Sequence, residues 1–153
     1  MSSSCCDVST PPAETGDCPR SGSTGETVEW LTVAALVEGR VPARQDFWLC
    51  RDPDCDVVYF GSAGTEQRAE DLNVTPGFKE GSDGLVCYCF LHHVSDIEAE
   101  IADTGQTGVL GSIKAEVQAG NCACEVRNPS GKCCLGEVQR TINQIEQRLE
   151  VAR

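Results

Sequence analysis

Residues 122–134 read Cys122-Ala-Cys124-Glu-Val-Arg-Asn128-Pro-Ser-Gly131-Lys-Cys133-Cys134 and end where an amphipathic pattern begins. Together with Cys87-Tyr88-Cys89, this stretch carries six of the eleven cysteines of the 153-residue chain. Cysteines that are adjacent or one residue apart are poor disulfide partners for each other, because their Cβ vectors cannot reach disulfide geometry without distortion. A Cys-x-Cys pair, in contrast, easily places two sulfurs on one iron. The spacing therefore favours a thiolate metal site, with a disulfide scaffold as the alternative.

The composition narrows the cellular setting. The N-terminus lacks the basic and apolar regions of a secretory signal, and no apolar run is long enough to span a bilayer. We therefore expect a cytoplasmic protein without membrane insertion, and in that reducing compartment abundant cysteine indicates metal coordination. A formal net charge of -12 without a basic patch argues against binding to nucleic acid. Since aromatic residues make up only 5% of the chain, two small metal-stapled modules fit better than one large core.

The first half predicts a small β-hairpin module after a loose arm. Residues 1–17 are rich in Ser, Thr, Pro and Gly and predict a flexible, cysteine-containing arm. Thr32 has the character of an N-cap for a short helix over residues 33–37. Two β-rich runs flank the turn Arg51-Asp52-Pro53-Asp54, which predicts a hairpin with Cys50 and Cys55 on either side of its turn.

This hairpin is typical of a zinc knuckle, in which two thiolates at a turn point toward one ion. Cys18 is the third candidate ligand, and we expect the fourth from Cys6, with Cys5 or a non-cysteine group as alternatives. Free thiols in a small β core are the other interpretation of the hairpin cysteines. The zinc-binding module is predicted to cover residues 18–62.

The second half predicts a helical module, which makes the fold class α+β. Residues 63–84 are polar and Gly-rich and are interpreted as a linker, and the helical module extends over residues 85–153. Residues 95–98 match a capping box, and Ile97 and Ile101 form one apolar face. The remaining predicted helices are a second one over 109–119, ended by Gly120, and a final one from about Leu135.

The six cysteines of the helical module offer more thiolates than one site needs. Cys133 and Cys134 are adjacent, so at a helix start their side chains diverge by about 100° and only one is expected to face a metal. The spacing does not decide between the Cys122/Cys124 and Cys87/Cys89 pairs. Four thiolates fit a 2Fe-2S centre, and a four-thiolate zinc site is also allowed.

Three strings in this order resemble the N-terminal domain of CopZ-type copper chaperones: Cys50-Arg-Asp-Pro-Asp-Cys55-Asp-Val-Val-Tyr-Phe60, Val86-Cys-Tyr-Cys-Phe90 and Asn128-Pro-Ser-Gly-Lys-Cys-Cys134. The resemblance implies a zinc site and a 2Fe-2S cluster, and the second half is similar to bacterioferritin-associated ferredoxin. It also implies the cluster ligands, which are Cys87, Cys89, Cys124 and Cys134.

The chain departs from the family pattern in two respects. The family often has Cys-Pro-x-Cys near its start, whereas here Ser21 stands at the second cysteine position. Full-length chaperones of the family continue into a heavy-metal domain with a Cys-x-x-Cys motif, and this sequence contains neither, so we expect a stand-alone version.

Three functions follow as hypotheses. The leading one is a metal-binding redox protein that acts in copper handling by reduction, chaperoning or both, with bound copper(I) as a third metal. The alternatives are a ferredoxin-like electron-transfer partner of a separate reductase, and a thiol-rich scavenger of copper or mercury. Candidate partners are metal ions, a metal-transporting ATPase, a separate heavy-metal-domain chaperone and a reductase. No catalytic signature is present, so we do not expect an enzyme.

Overall fold

The computed structural model describes residues 16–80 and 84–151. A four-stranded antiparallel sheet with the order β1-β2-β3-β4 occupies the first of these ranges, which we call the sheet half. The second range, the helical half, packs its helices over a two-stranded sheet of β5 and β6. This arrangement confirms the predicted α+β class. The strands are β1 (Glu26–Val28), β2 (Phe47–Leu49), β3 (Val57–Gly61), β4 (Glu66–Arg68), β5 (Leu85–Cys87) and β6 (His92–His93), and the helices are α1 (Trp30–Leu36), α2 (Gly77–Glu80), α3 (Val94–Thr104), α4 (Val109–Gln118), α5 (Cys124–Arg127) and α6 (Leu135–Val151).

The predicted hairpin is present as β2 and β3. Leu49 pairs with Tyr59, and the backbone N–H of Cys50 donates to the Val58 carbonyl at 2.8 Å, which extends the ladder to the first cysteine. The turn closes through an Asp52 carboxylate that accepts the Asp54 N–H at 2.9 Å, a common turn contact for aspartate. The two cysteines therefore leave adjacent strands at the same end of the sheet.

Helix α1 begins earlier than predicted, and the assignment of Thr32 as its N-cap is wrong. Glu29 holds the N-cap position, and Thr32 is fully buried in the first turn of the helix. The Thr32 hydroxyl donates to the Glu125 carbonyl of α5 at 2.7 Å. The Thr32 hydroxyl thus makes a tertiary hydrogen bond to α5 and does not cap α1.

Residues 63–84, interpreted as a linker, carry regular structure over much of their length. Strand β4 pairs with β3, a short 3-10 turn follows at Ala69–Asp71, and α2 begins at Gly77. A Cβ atom at Gly77 would lie 1.9 Å from the Leu85 carbonyl oxygen, so this backbone crossing requires glycine. Strand β4 was not predicted because its sequence is polar, and an edge strand does not need an apolar face.

The helical half forms one core around α6. Its fully or nearly buried members include Ile97, Ile113 and Val138, one from each of α3, α4 and α6. Helix α3 is capped two residues earlier than predicted, where the Asp96 carboxylate accepts the His93 N–H at 3.3 Å. Helix α4 ends at Gln118, and Gly120 follows it with a φ of 78°, as predicted for a C-cap glycine.

The two halves pack against each other through α1, α5 and the turn after α5. The buried Tyr59 of β3 donates its hydroxyl to the Pro129 carbonyl. Burial raises the pKa of Tyr59 far above its ordinary value, so the hydroxyl keeps the proton that it donates. None of the helices within residues 16–80 and 84–151 is long and apolar enough to cross a bilayer.

Candidate metal centres

The first candidate centre joins Cys18 to the two hairpin cysteines. Their three Sγ atoms lie within 4.8 Å of one another, with Cys18 and Cys55 separated by 3.9 Å. Two thiolates on one tetrahedral zinc, each bonded at 2.3 Å, lie about 3.8 Å apart. The three thiols that were predicted together are thus placed together, at spacings that fit a metal ion. Cys6, predicted as the fourth ligand, lies outside the described residues, as does Cys5.

A tight loop positions Cys18. The Cys18 N–H donates to the Ser23 carbonyl at 2.8 Å, and the Gly22 N–H donates back to the Cys18 carbonyl, also at 2.8 Å. Gly22 has a φ of 75°, a conformation that favours glycine. The loop therefore presents Cys18 toward the hairpin from one side, much as the hairpin turn presents its own cysteines from the other.

The surroundings of Cys18 favour its thiolate, whereas burial raises the pKa of Cys55. Burial opposes ionisation of Cys18, but hydrogen bonds from the backbone and side chain of Ser21 outweigh it and lower the pKa of Cys18 from 9.0 to about 7. The Lys79 ammonium donates to the Cys55 carbonyl at 2.8 Å and brings a positive charge to the knuckle. Trp48 and Phe60 stack with ring centroids 5.6 Å apart and shield the centre on its inner side. Sequence reasoning missed the role of Lys79, because no pattern relates α2 to the hairpin.

The second candidate centre contains two thiol pairs. Cys89 and Cys124 place their Sγ atoms 3.6 Å apart, and the Ala123 N–H donates to Cys89 Sγ at 3.2 Å. Cys87 and Cys134 form the other pair, in which the Cys134 thiol donates a hydrogen bond to Cys87. This hydrogen bond lowers the pKa of Cys87 to about 6 and raises that of Cys134.

Burial separates these cysteines from their neighbours in the sequence. Cys134 is 1% exposed at the start of α6, whereas the adjacent Cys133 is exposed. Cys124 is buried as the first residue of α5, and Cys122 is half-buried. The 3.6 Å spacing of Cys89 and Cys124 fits two thiolates on one tetrahedral iron, and a 2Fe-2S centre needs four thiolates in all. Cys87, Cys89, Cys124 and Cys134, the ligand set that the resemblance implies, thus lie in or against one core.

The turn between α5 and α6 holds the two pairs in position. The Asn128 side chain is 2% exposed, and its Oδ1 accepts hydrogen bonds from the backbone N–H and the hydroxyl of Ser130, both at 3.0 Å. Its Nδ2 donates to the Lys132 carbonyl at 3.0 Å. One buried amide thus closes the turn that separates Cys124 from Cys134 in the sequence. The sequence motif did not predict this role of Asn128, because it depends on side-chain hydrogen bonds within the turn.

Arg127 holds the Cys-x-Cys segment of the second centre. Its guanidinium donates to the Tyr88 carbonyl from Nε at 3.3 Å and from Nη2 at 3.2 Å. Tyr88 separates the two cysteines of the Cys-x-Cys segment, and its own hydroxyl accepts the Gly77 N–H at 2.8 Å. The segment is therefore tied to α5 on one side and to α2 on the other.

Comparisons with known proteins agree with this architecture. Residues 15–73 match the CopZ family described as a zinc binding domain. The copper chaperone CopZ of Archaeoglobus fulgidus is 32% identical over 127 residues, which are 80% of this chain and 60% of that protein. The chain thus spans about 60% of the length of this curated relative. The crystal structure of the N-terminal domain of A. fulgidus CopZ superposes with a TM-score of 0.59 at 32% identity, and the match covers 82% of this chain and 96% of that domain. The chain therefore belongs to the family of CopZ N-terminal domains.

Proposed function

We propose that this protein is a non-enzymatic, metal-binding redox protein that acts in the handling of copper. In this proposal a 2Fe-2S cluster is bound by Cys87, Cys89, Cys124 and Cys134, and zinc is bound in the sheet half. The observation that supports the proposal is that all four cysteines lie in or against one hydrophobic core, where Cys89 and Cys124 place their Sγ atoms 3.6 Å apart and Cys87 hydrogen-bonds Cys134.

The environment of the second centre suits a redox cofactor. A bound 2Fe-2S cluster supplies a one-electron couple, whose potential depends on hydrogen bonds to the sulfurs and on solvent exposure. The Ala123 N–H already donates to Cys89, which is only half-buried. Leu91, which follows the Cys-x-Cys segment, is 58% exposed. Electrons can therefore enter or leave at this edge, because the Cys89 side of the core approaches solvent.

The copper assignment rests on the family and on soft ligands beside the core. The family relative is a copper chaperone, and thiolates favour copper(I) over copper(II). Reduction of one copper(II) takes one electron, and the resulting copper(I) needs a thiolate receiver. Cys122 and Cys133 are the candidate receivers among the described residues, and Cys5 and Cys6 belong to the arm. A metal-transporting ATPase, a separate heavy-metal-domain chaperone and a reductase are the proposed partners, in the cytoplasm.

The test mixes anaerobic, reduced protein with one equivalent of copper(II). Absorbance follows reoxidation, and gel filtration separates bound from free copper. We expect reoxidation together with copper retained as copper(I), and the Cys122→Ser/Cys133→Ser variant should reoxidise but retain less copper. Reoxidation with all the copper left free would favour a ferredoxin-like electron carrier. Equal copper retention by a cluster-free Cys87→Ser variant would favour a heavy-metal scavenger.

A further inference from the structure

The loop that carries Cys18 also brings a hydroxyl group to the first centre. Ser21 Oγ lies 3.5 Å from Cys50 Sγ, and the Ser21 side chain also hydrogen-bonds Cys18. The hydroxyl therefore contacts two of the three clustered thiols. A hydroxyl oxygen beside two members of a thiol triangle is close enough to serve as a fourth ligand to an ion that the thiols hold.

Backbone contacts within the loop fix the position of Ser21. Asp17 and Thr24 form an antiparallel bridge across the base of the loop, and the two hydrogen bonds between Cys18 and residues 22–23 close it. The Ser23 N–H donates to one lone pair of Ser21 Oγ at 3.2 Å, and the second lone pair stays available to a cation. The loop itself therefore brings Ser21 to the thiols.

We propose that Ser21 is the fourth ligand of the zinc ion and that the centre is a three-thiolate, one-oxygen site. The inference rests on the proposed zinc site, and it replaces Cys6 in the predicted ligand set. Zinc accepts oxygen ligands as well as sulfur and nitrogen, so the donor set is chemically sound. With a neutral hydroxyl in place of a fourth thiolate, the occupied centre carries one fewer negative charge than a four-cysteine site.

This donor set makes the centre exchangeable. A neutral hydroxyl is a weaker zinc ligand than a thiolate, so an incoming thiol displaces Ser21 before it displaces a cysteine. The side of the centre that holds Ser21 and Cys55 is half-exposed, whereas Cys18 and Cys50 are buried. The ion therefore leaves or enters on the side of Ser21 and Cys55, while the two buried thiols stay in place.

The test uses the full chain with zinc under anaerobic conditions. X-ray absorption at the zinc edge counts sulfur and oxygen ligands, and competition with a chromophoric chelator measures zinc affinity and the rate of transfer. We expect three sulfurs and one oxygen in the wild type. Ser21→Cys should bind with four sulfurs, hold zinc about tenfold more tightly and release it more slowly, while Ser21→Ala should bind about tenfold more weakly.

The matched control is the Cys5→Ser/Cys6→Ser variant, which should be indistinguishable from the wild type in ligand count, affinity and transfer rate. Four sulfurs in the wild type that fall to three in this variant would overturn the proposal in favour of an arm cysteine. Unchanged zinc affinity and transfer rate in Ser21→Ala would also overturn it. If neither the wild type nor Ser21→Cys binds zinc, the proposed zinc site itself is wrong. Circular dichroism of the zinc-loaded variants checks that each is folded.

Discussion

Arg51 and Glu137 join the two candidate metal centres, with the guanidinium Nη1 donating to Glu137 Oε1 at 2.8 Å. Arg51 directly follows Cys50 in the knuckle, and Glu137 lies in the first turn of α6, three residues after Cys134. Arg51 Nε also donates to Glu26 at 2.6 Å, and Lys132 donates to the other Glu26 oxygen at 2.8 Å. A ladder of alternating charges thus connects the knuckle to the segment that carries the cluster cysteines.

The coupling between Arg51 and Glu137 should be measurable by a double-mutant cycle. With Arg51→Met, Glu137→Gln and the double variant, we expect a coupling of about 1 kcal/mol in the free energy of unfolding in urea, because both side chains are partly shielded and belong to a network. Arg148 and Glu98 provide a matched pair at 2.8 Å within the helical half, where the arginine side chain is 57% exposed. That cycle should give about 0.5 kcal/mol or less. Equal coupling energies in the two cycles would show that the Arg51–Glu137 pair stabilises the fold no more than an exposed surface pair does.

The contribution of Glu26 should depend on pH with a defined sign. Although burial opposes ionisation, the hydrogen bonds from Arg51 and Lys132 prevail and lower the pKa of Glu26 below 4.5 in the folded state. A group whose pKa is lower when folded stabilises the fold above its unfolded pKa and loses that effect as the pH falls through the folded pKa.

The wild type should therefore be more stable than Glu26→Gln at neutral pH, and this difference should shrink once the pH falls below about 4.5. The measurement compares the midpoints of urea denaturation for both proteins across that range. Since acid weakens metal binding in both proteins alike, the difference between them isolates Glu26. If the difference in urea midpoint between the two proteins stayed constant to a pH below the folded pKa of Glu26, the ionised Glu26 carboxylate would not be what stabilises the fold.

Replacement of Gly131 should lower the stability of the protein, because Gly131 lies at the contact between the halves. Its φ is 71°, and a Cβ atom there would lie 2.5 Å from Thr32 Oγ1. Gly131→Ala should cost about 2 kcal/mol of stability and lower the iron content, because it displaces the segment that leads to Cys134.

The matched control for this change is Gly120→Ala, since Gly120 has a φ of 78° with no atom within 4 Å of the added Cβ. That variant should cost about 1 kcal/mol and leave the iron content unchanged. Urea denaturation and iron analysis of both variants are the measurements. Equal losses would mean that backbone conformation alone, and not the contact with Thr32, determines the requirement.

Local patterns predicted the parts of the fold that depend on local physics. The β2–β3 hairpin follows from two β-rich runs around a Pro/Asp turn, and α6 follows from apolar residues at helical spacing that reach the core at Val138, Ile142 and Ile145. The end of α4 follows from Gly120, which adopts the conformation that few other residues tolerate. Each of these signals lies within a few residues of the feature that it predicts.

Tertiary contacts determined the parts that the sequence did not predict. The Thr32 hydroxyl bonds a carbonyl 93 residues away, a contact with no local signal. Strand β4 is polar throughout, so no alternation revealed it. For the cysteines, the sequence indicated that only one of Cys133 and Cys134 could face inward, and the packing of α6 determines that Cys134 does. The position of Ser21 against the thiols depends on a loop closure that no spacing rule encodes.

The most direct test of the account is the iron and acid-labile sulfide content of anaerobically purified protein and of six single Cys→Ser variants. The wild type should contain about two iron and two sulfide per chain, with a visible absorption spectrum of a 2Fe-2S centre. The variants at Cys87, Cys89, Cys124 and Cys134 should lose or strongly perturb the cluster, whereas those at Cys122 and Cys133 should keep it. A wild type without iron, or a cluster that survives Cys134→Ser but is lost in Cys133→Ser, would contradict the assignment.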